Sequence, residues 1–573
     1  MAQKSTYSTL KKVAIAVAIL IAVLFVSSYK HLRIDLTEEK RYTLTDATKD
    51  ILENLNDTIR MTVYLEGDLP MSFVKMQREV QDLLDEFQEI AGKKFLIRFI
   101  DPQTIGDGKN FKHTISRLHD TYGLAPYTIQ EEDENGKFTQ RYIIPGIIVS
   151  TAQKYVTINM LSNTLGNTPE EQINESLQNL EYQCIKAIKQ LTSEKRKNIA
   201  FIRGHGETPL LYSYNATVAL LDLYNIDRIT CAQLLDSISK YDAVIIAEPQ
   251  QAYSEQDKYC IDQYIMNNGN VLVMTDFVSV SMDSLKTSAY TYAMPKDLNL
   301  SDLLFNLGVR INQTMLLDNQ CAKIPMNIAN FGEQPRFAPV PWYYFPMLKP
   351  HKEHLITKNI DVVKAEFSST IDTLEGNGNF EKTILLSSSA YARVLSMPNT
   401  VGFQVLQNNP DKNFFNKYYV PTAVLLEGNC KSLYQSRTAP IGNDKYKKKD
   451  ESEQNRIIVV ADGDIIRNEI EVTNNDTIPK PLYFYKYYSF DKRAYTGNLD
   501  FFVNAVNYIC GDEELLVIRA REITIRLLNK NRITEERTYW ELLNIAVPIL
   551  IIVIAGLSVF IIRKYKFSKK YVG

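Results

Sequence analysis

KNIAFIRGHGE, residues 197–207, is the stretch on which the fold turns. Ile199, Ala200, Phe201 and Ile202 form a short apolar run with no helical period, and it stops in a glycine-bracketed turn. A run of this length between breakers reads as a buried strand. The same grammar recurs downstream in DAVIIAEP (242–249), NVLVMTD (270–276) and RIIVVADGDIIRN (456–468). Helical stretches at 212–224 and 254–268 lie between the first three strands, and FFVNAVNYICG (501–511) forms a later helix ended by Gly511. Buried strands alternating with helices predict a parallel α/β sheet.

Working outward toward the N-terminus, a second α/β pattern appears. In RYTLTDATKDIL (41–52) Thr45 stands as a helix N-cap with Thr48 three residues on, and Ile51, Leu52 and Leu55 share a face. IRMTVYLEG (59–67) alternates Met61, Val63 and Leu65 with polar neighbours, as a strand does. Residues 72–91 carry Val80, Leu83, Leu84, Phe87 and Ile90 at helical spacing. KFLIRFIDP (94–102) closes a strand–helix–strand unit, with Pro102 as its stop. Asp133, Asn135 and Gly136 mark a turn between hairpin-like strands, and GIIVSTAQKYVTINML (146–161) continues the sheet. Residues 170–192 form a further helix. Residues 277–380, which include the proline-rich APVPWYYFPMLKP (338–350), read as an insertion with short strands. The region from Gly428 to Gln454, with its run KYKKKDESEQ (445–454), reads as a solvated loop.

Two apolar runs bracket this region. Residues 13–29, beginning VAIAVAILIAVLFV, and residues 542–562, LLNIAVPILIIVIAGLSVFII, carry no formal charge. A hydrocarbon core of ~30 Å needs roughly 17 to 25 helical residues, so both runs are candidate spans. Arg563, Lys564, Lys566, Lys569 and Lys570 follow the second run and argue for a cytoplasmic C-terminus. With two passes the N-terminus shares that side, and the body between the spans lies outside the cytosol. The expected layout is a cytoplasmic N-terminus and span (1–34), a first α/β domain (35–165), a second α/β domain with the insertion (166–539), and a span with a basic tail (540–573). Both domains are expected to have mostly parallel sheets, the second like amidotransferases and flavodoxins. Ala555, Gly556 and Ser558 form a small-residue patch where another membrane helix could approach, although such residues are also ordinary in spans.

Composition narrows the function further. The 573 residues hold 65 Lys and Arg against 67 Asp and Glu, so no charge excess points to nucleic acid. The six cysteines form no CxxC pair, which excludes a zinc ribbon or thioredoxin-type redox centre. No GxSxG is present, HKEH (351–354) lacks the spacing of a zincin helix, and GNGNFEKT (376–383) has Glu381 where a P-loop needs glycine. No cofactor is expected, and no catalytic or metal-binding residues stand out.

The strand ends carry the candidate site. Gly204-His205-Gly206-Glu207, Glu248-Pro249, Thr275-Asp276 and Asp462-Gly463-Asp464 each follow an apolar run. Ligands of open parallel sheets bind outside the carboxyl ends of the strands. In one sheet, His205, Glu207, Asp276, Asp462 and Asp464 would rim a single crevice, with Gly204 and Gly206 allowing close backbone approach. The same residues also suit turn formation and helix capping.

The motif order RYTLTDATKDIL, GHGE, ADGDIIRN and NLDFFVNAVNYICG, set between two apolar termini, resembles the auxiliary proteins of certain ABC transporters, specifically the gliding motility protein G family of substrate-binding proteins. The resemblance runs through most of the chain. It implies a non-catalytic subunit in the bacterial inner membrane with a large periplasmic domain. The implied partners are a multi-span ABC permease and a cytoplasmic ATPase, with lipid around the spans. The alternative is a periplasmic receptor taking a small polar solute or glycan at the strand-end crevice.

Overall fold

Two β-sheets organise the body. The computed structural model describes residues 43–105, 111–132, 138–161, 169–193, 195–280, 282–286, 288–329, 334–407, 412–441, 447–473, 476–482, 496–521 and 530–568. The chain divides into two compact units, residues 1–522 and 523–573. The expected N-terminal span at 13–29 and the turn at Asp133, Asn135 and Gly136 lie outside the described residues.

The N-terminal sheet begins with helix α1 (Asp46–Glu53), capped by Thr45, whose side chain accepts the N–H of Thr48. Strand β1 (Ile59–Val63), helix α2 (Met71–Ala91) and strand β2 (Phe95–Phe99) then form the expected parallel unit, with Ile59 opposite Phe95. On α2, Val80, Leu84 and Phe87 are buried, while Leu83 and Ile90 are partly buried against the same core. β3 (Gly146–Ser150) pairs antiparallel with β1, and β4 (Tyr155–Asn159) antiparallel with β3. The order is β2-β1-β3-β4, so this sheet is mixed rather than mostly parallel. Residues 151–154 are too few for a crossover, and only an antiparallel return fits them. The strands at Tyr127–Glu132 and Phe138–Ile143 pair as the expected hairpin, separate from this sheet. The helix expected over 170–192 is two, Pro169–Gln178 and α3 (Leu180–Thr192).

Among the described residues the larger sheet has ten strands. Its parallel half comprises β5 (Asn198–Ile202), β6 (Asn225–Ile229), β7 (Ala243–Ala247), β8 (Asn270–Met274) and a late strand, Asn455–Val460. Spatially β6-β5-β7-β8 runs on to that late strand, every neighbour parallel. Helices α4 (Tyr214–Leu221), α5 (Cys231–Asp236) and α6 (Glu255–Met266) make the connections. The sequence reading missed β6 and α5. NIDRI is only partly buried and carries Asp227 and Arg228, so it has no apolar run to announce it.

The other half is antiparallel. It adds β9 (Cys321–Asn327), β10 (Phe337–Pro350), β11 (Gly378–Ser387) and β12 (Pro421–Cys430), and β12 pairs with the late strand, here β13 (Asn455–Val460). The supposed insertion thus feeds three strands straight into the main sheet: β9, β10 and the short Val363–Lys364, which pairs with β10. β10 spans fourteen residues despite its prolines. Pro339 and Pro341 fall where β10 pairs only with β9, so their missing N–H groups face no second strand.

The segment read as a solvated loop is partly tied down. Lys449 and Gln263 exchange two hydrogen bonds, and buried Asp262 accepts from Ser432 Oγ at 2.6 Å and from the N–H of Leu433. Near the end of the body, α7 (Gly497–Ile509) packs into the main core, and α8 (Glu513–Arg519) puts Leu515 and Ile518 into the core of the N-terminal sheet. In the second unit, α9 (Lys530–Ser568) contains Pro548, and its Tyr539–Tyr565 segment is long and apolar enough to cross a bilayer.

Candidate functional site

Strands β5, β7, β8 and β13 are consecutive neighbours, so the four polar clusters that end them lie in a row at one edge of the sheet. They resolve into two groups, joined through Gln250.

The first group is the GHGE turn. Gly204 and Gly206 have φ of +129° and +78°, backbone that favours glycine. His205 is buried, and its ring stacks on Tyr253 with centroids 3.7 Å apart. Nδ1 faces Glu207 Oε1 at 3.1 Å and Nε2 faces Asp257 Oδ2 at 3.2 Å. Tyr253 donates its hydroxyl to the same Glu207 oxygen at 2.8 Å. Asp257 lies in the first turn of α6, where Ser254 caps it by accepting its N–H. The His205 carbonyl accepts the N–H groups of Gln250 and Gln251. A neutral imidazole has one N–H and can satisfy only one of its two carboxylates, whereas the imidazolium satisfies both. His205 thus clamps the end of β5 onto the start of α6.

That clamp has a definite pH signature. Burial acts to lower the His205 pKa, but the hydrogen bonds with Glu207 and Asp257 outweigh it and hold the pKa above the ordinary 6.5. Burial likewise pushes the Glu207 carboxyl up, and the bonds from His205 and Tyr253 hold it below its ordinary 4.5. A raised histidine pKa gives stability that is fully present below 6.5 and lost as pH rises through the folded value. A lowered carboxyl pKa gives stability present above 4.5 and lost as pH falls through the folded value. Melting curves of the detergent-solubilised protein should therefore decline as pH climbs from 6.5. His205→Ala should flatten that decline; an unchanged slope would show that the clamp does not carry it.

The second group is acidic. Glu248 ends β7 with φ of +53°, and its carboxylate accepts from Thr208 Oγ1 at 2.9 Å, Arg467 Nη1 at 2.7 Å and Gln250 Nε2 at 3.1 Å. A Cβ at Gly463 would sit 2.7–3.0 Å from the Glu248 Cγ, Cβ and Cα, so only glycine lets the ends of β7 and β13 come this close. The Gly463 N–H points to Asp276 Oδ2 at 3.2 Å, while the buried Asp276 Oδ1 has no hydrogen-bond partner among the described residues. Asp462 is fully buried and accepts the N–H groups of Glu366 and Asp464, each at 2.9 Å. Burial pushes the Asp276 carboxyl up to about 7, with Glu248 and Glu366 adding to the rise and Lys296 opposing it. Burial and neighbouring carboxylates push Asp462 and Asp464 well above the usual range. A carboxyl that titrates at about 7 lets Asp276 both donate and accept hydrogen bonds. Among the described residues no three His, Cys, Asp or Glu groups are arranged to hold a metal ion.

The structure thus brings Asp276, Asp462 and Asp464 together, with Asp462 acting as a turn cap, and turns His205 and Glu207 toward each other and α6. Sequence reasoning missed Glu366, Arg467, Tyr253 and Asp257. Arg467 was within reach, lying in the quoted ADGDIIRN; Glu366 had no motif around it. The buried Cys184, Cys260 and Cys430 thiols are pushed by burial to about 12, 12 and 11, far from nucleophilic thiolates. On α9, Ala555 and Gly556 are adjacent and Ser558 lies two residues further on, its Oγ donating to the Ile554 carbonyl at 2.7 Å.

Comparison with known proteins places this geometry in context. The family model described as an ABC-type uncharacterized transport system matches residues 196–505, which hold both polar groups. A domain of unknown function matches residues 38–150, the N-terminal sheet through β3. An uncharacterized protein of Borreliella burgdorferi is 21% identical over 423 residues, covering 71% of this chain and 74% of that protein. A solved structure, the mmIFT52 N-terminal domain, matches 47% of this chain and 88% of its own at 12% identity, with a TM-score of 0.26.

Proposed function

Because more than half of it matches that model, the chain belongs to the ABC-type uncharacterized transport system family, and from this premise we propose that it is a non-catalytic, membrane-anchored extracytoplasmic subunit of an ABC-type complex serving gliding motility. The family match carries the reading. The apolar helix Tyr539–Tyr565 supports an anchor, and the basic tail after it supports a cytoplasmic C-terminus with the body in the periplasm. A second anchor at 13–29 would make the protein two-pass in the inner membrane. The sequence carries no P-loop, so the energy for transport or for mechanical work comes from a partner ATPase. Two spans cannot enclose a translocation path, so a multi-span permease completes the complex. Purification of the full chain in mild detergent should recover a permease and an ATPase in fixed proportion. A protein that stays solitary after crosslinking in intact cells would overturn the proposal.

A further inference from the structure

The edge of the N-terminal sheet at β4 is built to take one more strand. β4 ends the order β2-β1-β3-β4, and no described strand pairs with its outer side. Its hydrogen-bonding alternation follows from two bonds that flank it, Met160 N–H to the Pro145 carbonyl and Thr151 N–H to the Lys154 carbonyl. These put residues 154, 156, 158 and 160 toward β3, so Tyr155, Thr157 and Asn159 turn their N–H and C=O groups outward.

An open edge of this kind normally carries a charge, a proline or a bulge that prevents further pairing. YVTIN has no charge and no proline, and its register against β3 runs without a shift. The edge also lies in a groove. A cavity of about 540 Å³ is lined by all five β4 residues, by one face of α3 including Tyr182, Gln183 and Lys186, and by Asp222. The other face of β4 is already taken, because the Tyr155, Thr157 and Asn159 side chains bond the carbonyls of residues 121–123. The edge strand is therefore held rigid beside a helix, the arrangement in which extended peptides are bound by strand addition.

We propose that this groove binds an extended, uncharged segment of a partner polypeptide as a fifth strand of the sheet. The electrostatics choose the occupant. The charged lining residues are Lys186 and Asp222, and they neutralise each other at 2.5 Å. A charged segment would meet no unpaired counter-charge there, whereas main-chain groups would find partners at every second residue of β4.

The test uses the full chain in its native membrane, with a benzophenone amino acid at Gln183. Irradiation should yield an adduct with another polypeptide, mapped by mass spectrometry to a short uncharged stretch. Thr157→Pro removes an outward N–H while leaving the bonds to β3, and should lower the yield about tenfold. Thr157→Val loses the same side-chain bond to Tyr122 but keeps the N–H, and should leave the yield unchanged. Hydrogen exchange at Tyr155, Thr157 and Asn159 should slow in the adduct. The proposal fails if there is no adduct, if the adduct lies within the chain or with a second copy, or if Thr157→Pro and Thr157→Val give equal yields.

Discussion

Truncating Trp342 to alanine is expected to destabilise the body by about 3–5 kcal/mol, the range for emptying a large aromatic site in a well-packed core. Trp342 is fully buried in β10, with ring centroids 4.9 Å from Tyr344 and 5.4 Å from Phe403. It belongs to a core cluster shared with Met315, Leu317 and Ile324. Its indole Nε1 is buried without a hydrogen-bond partner among the described residues, and an unmet donor of this kind costs about 1–3 kcal/mol. Trp342→Phe removes that donor along with some volume, so it should retain most of the stability. Thermal and urea unfolding of the two variants in detergent checks this. Equal losses would mean that the indole N–H is satisfied and its bond matters.

The second large effect is expected at Glu181. One of its oxygens accepts from Thr45 N–H and Oγ1, each at 3.1 Å, and from Thr48 Oγ1 at 2.7 Å. The other pairs with Arg521 Nη1 at 3.0 Å, both side chains being mostly buried. Removing this carboxylate loses several hydrogen bonds to a charged group at once, each worth about 1.5–3 kcal/mol, so the loss is on the order of 3 kcal/mol or more. Glu181→Ala should therefore destabilise the body by that order, and Glu181→Gln, which keeps acceptors for the two threonines, by less. Proteolysis should then cut first near α1 and α8, the elements this carboxylate holds. Uniform resistance to cleavage would contradict the assignment.

Trp342 also marks where the sequence was hard to read. The strands ending in GHGE, AEP, MTD and ADGD were legible because each is an apolar run closed by a breaker, and the unit β1–α2–β2 was legible from its change of period. β10 was not, because four prolines in fourteen residues suggest irregular chain; only the pairing pattern reveals that two of them have β9 on one side and no described strand on the other. β6 escaped because an outer strand needs no apolar run. The candidate site was legible as a set of strand ends but not as a geometry. Whether His205 turns toward Asp276 or toward Asp257 depends on how the start of α6 packs, and spacing does not encode that.

Thr45 and Arg521 lie near the two ends of the described residues of the body, and a single carboxylate, that of Glu181, grips both. Tension applied between these two residues would then be borne at that one knot and would bypass the sheets.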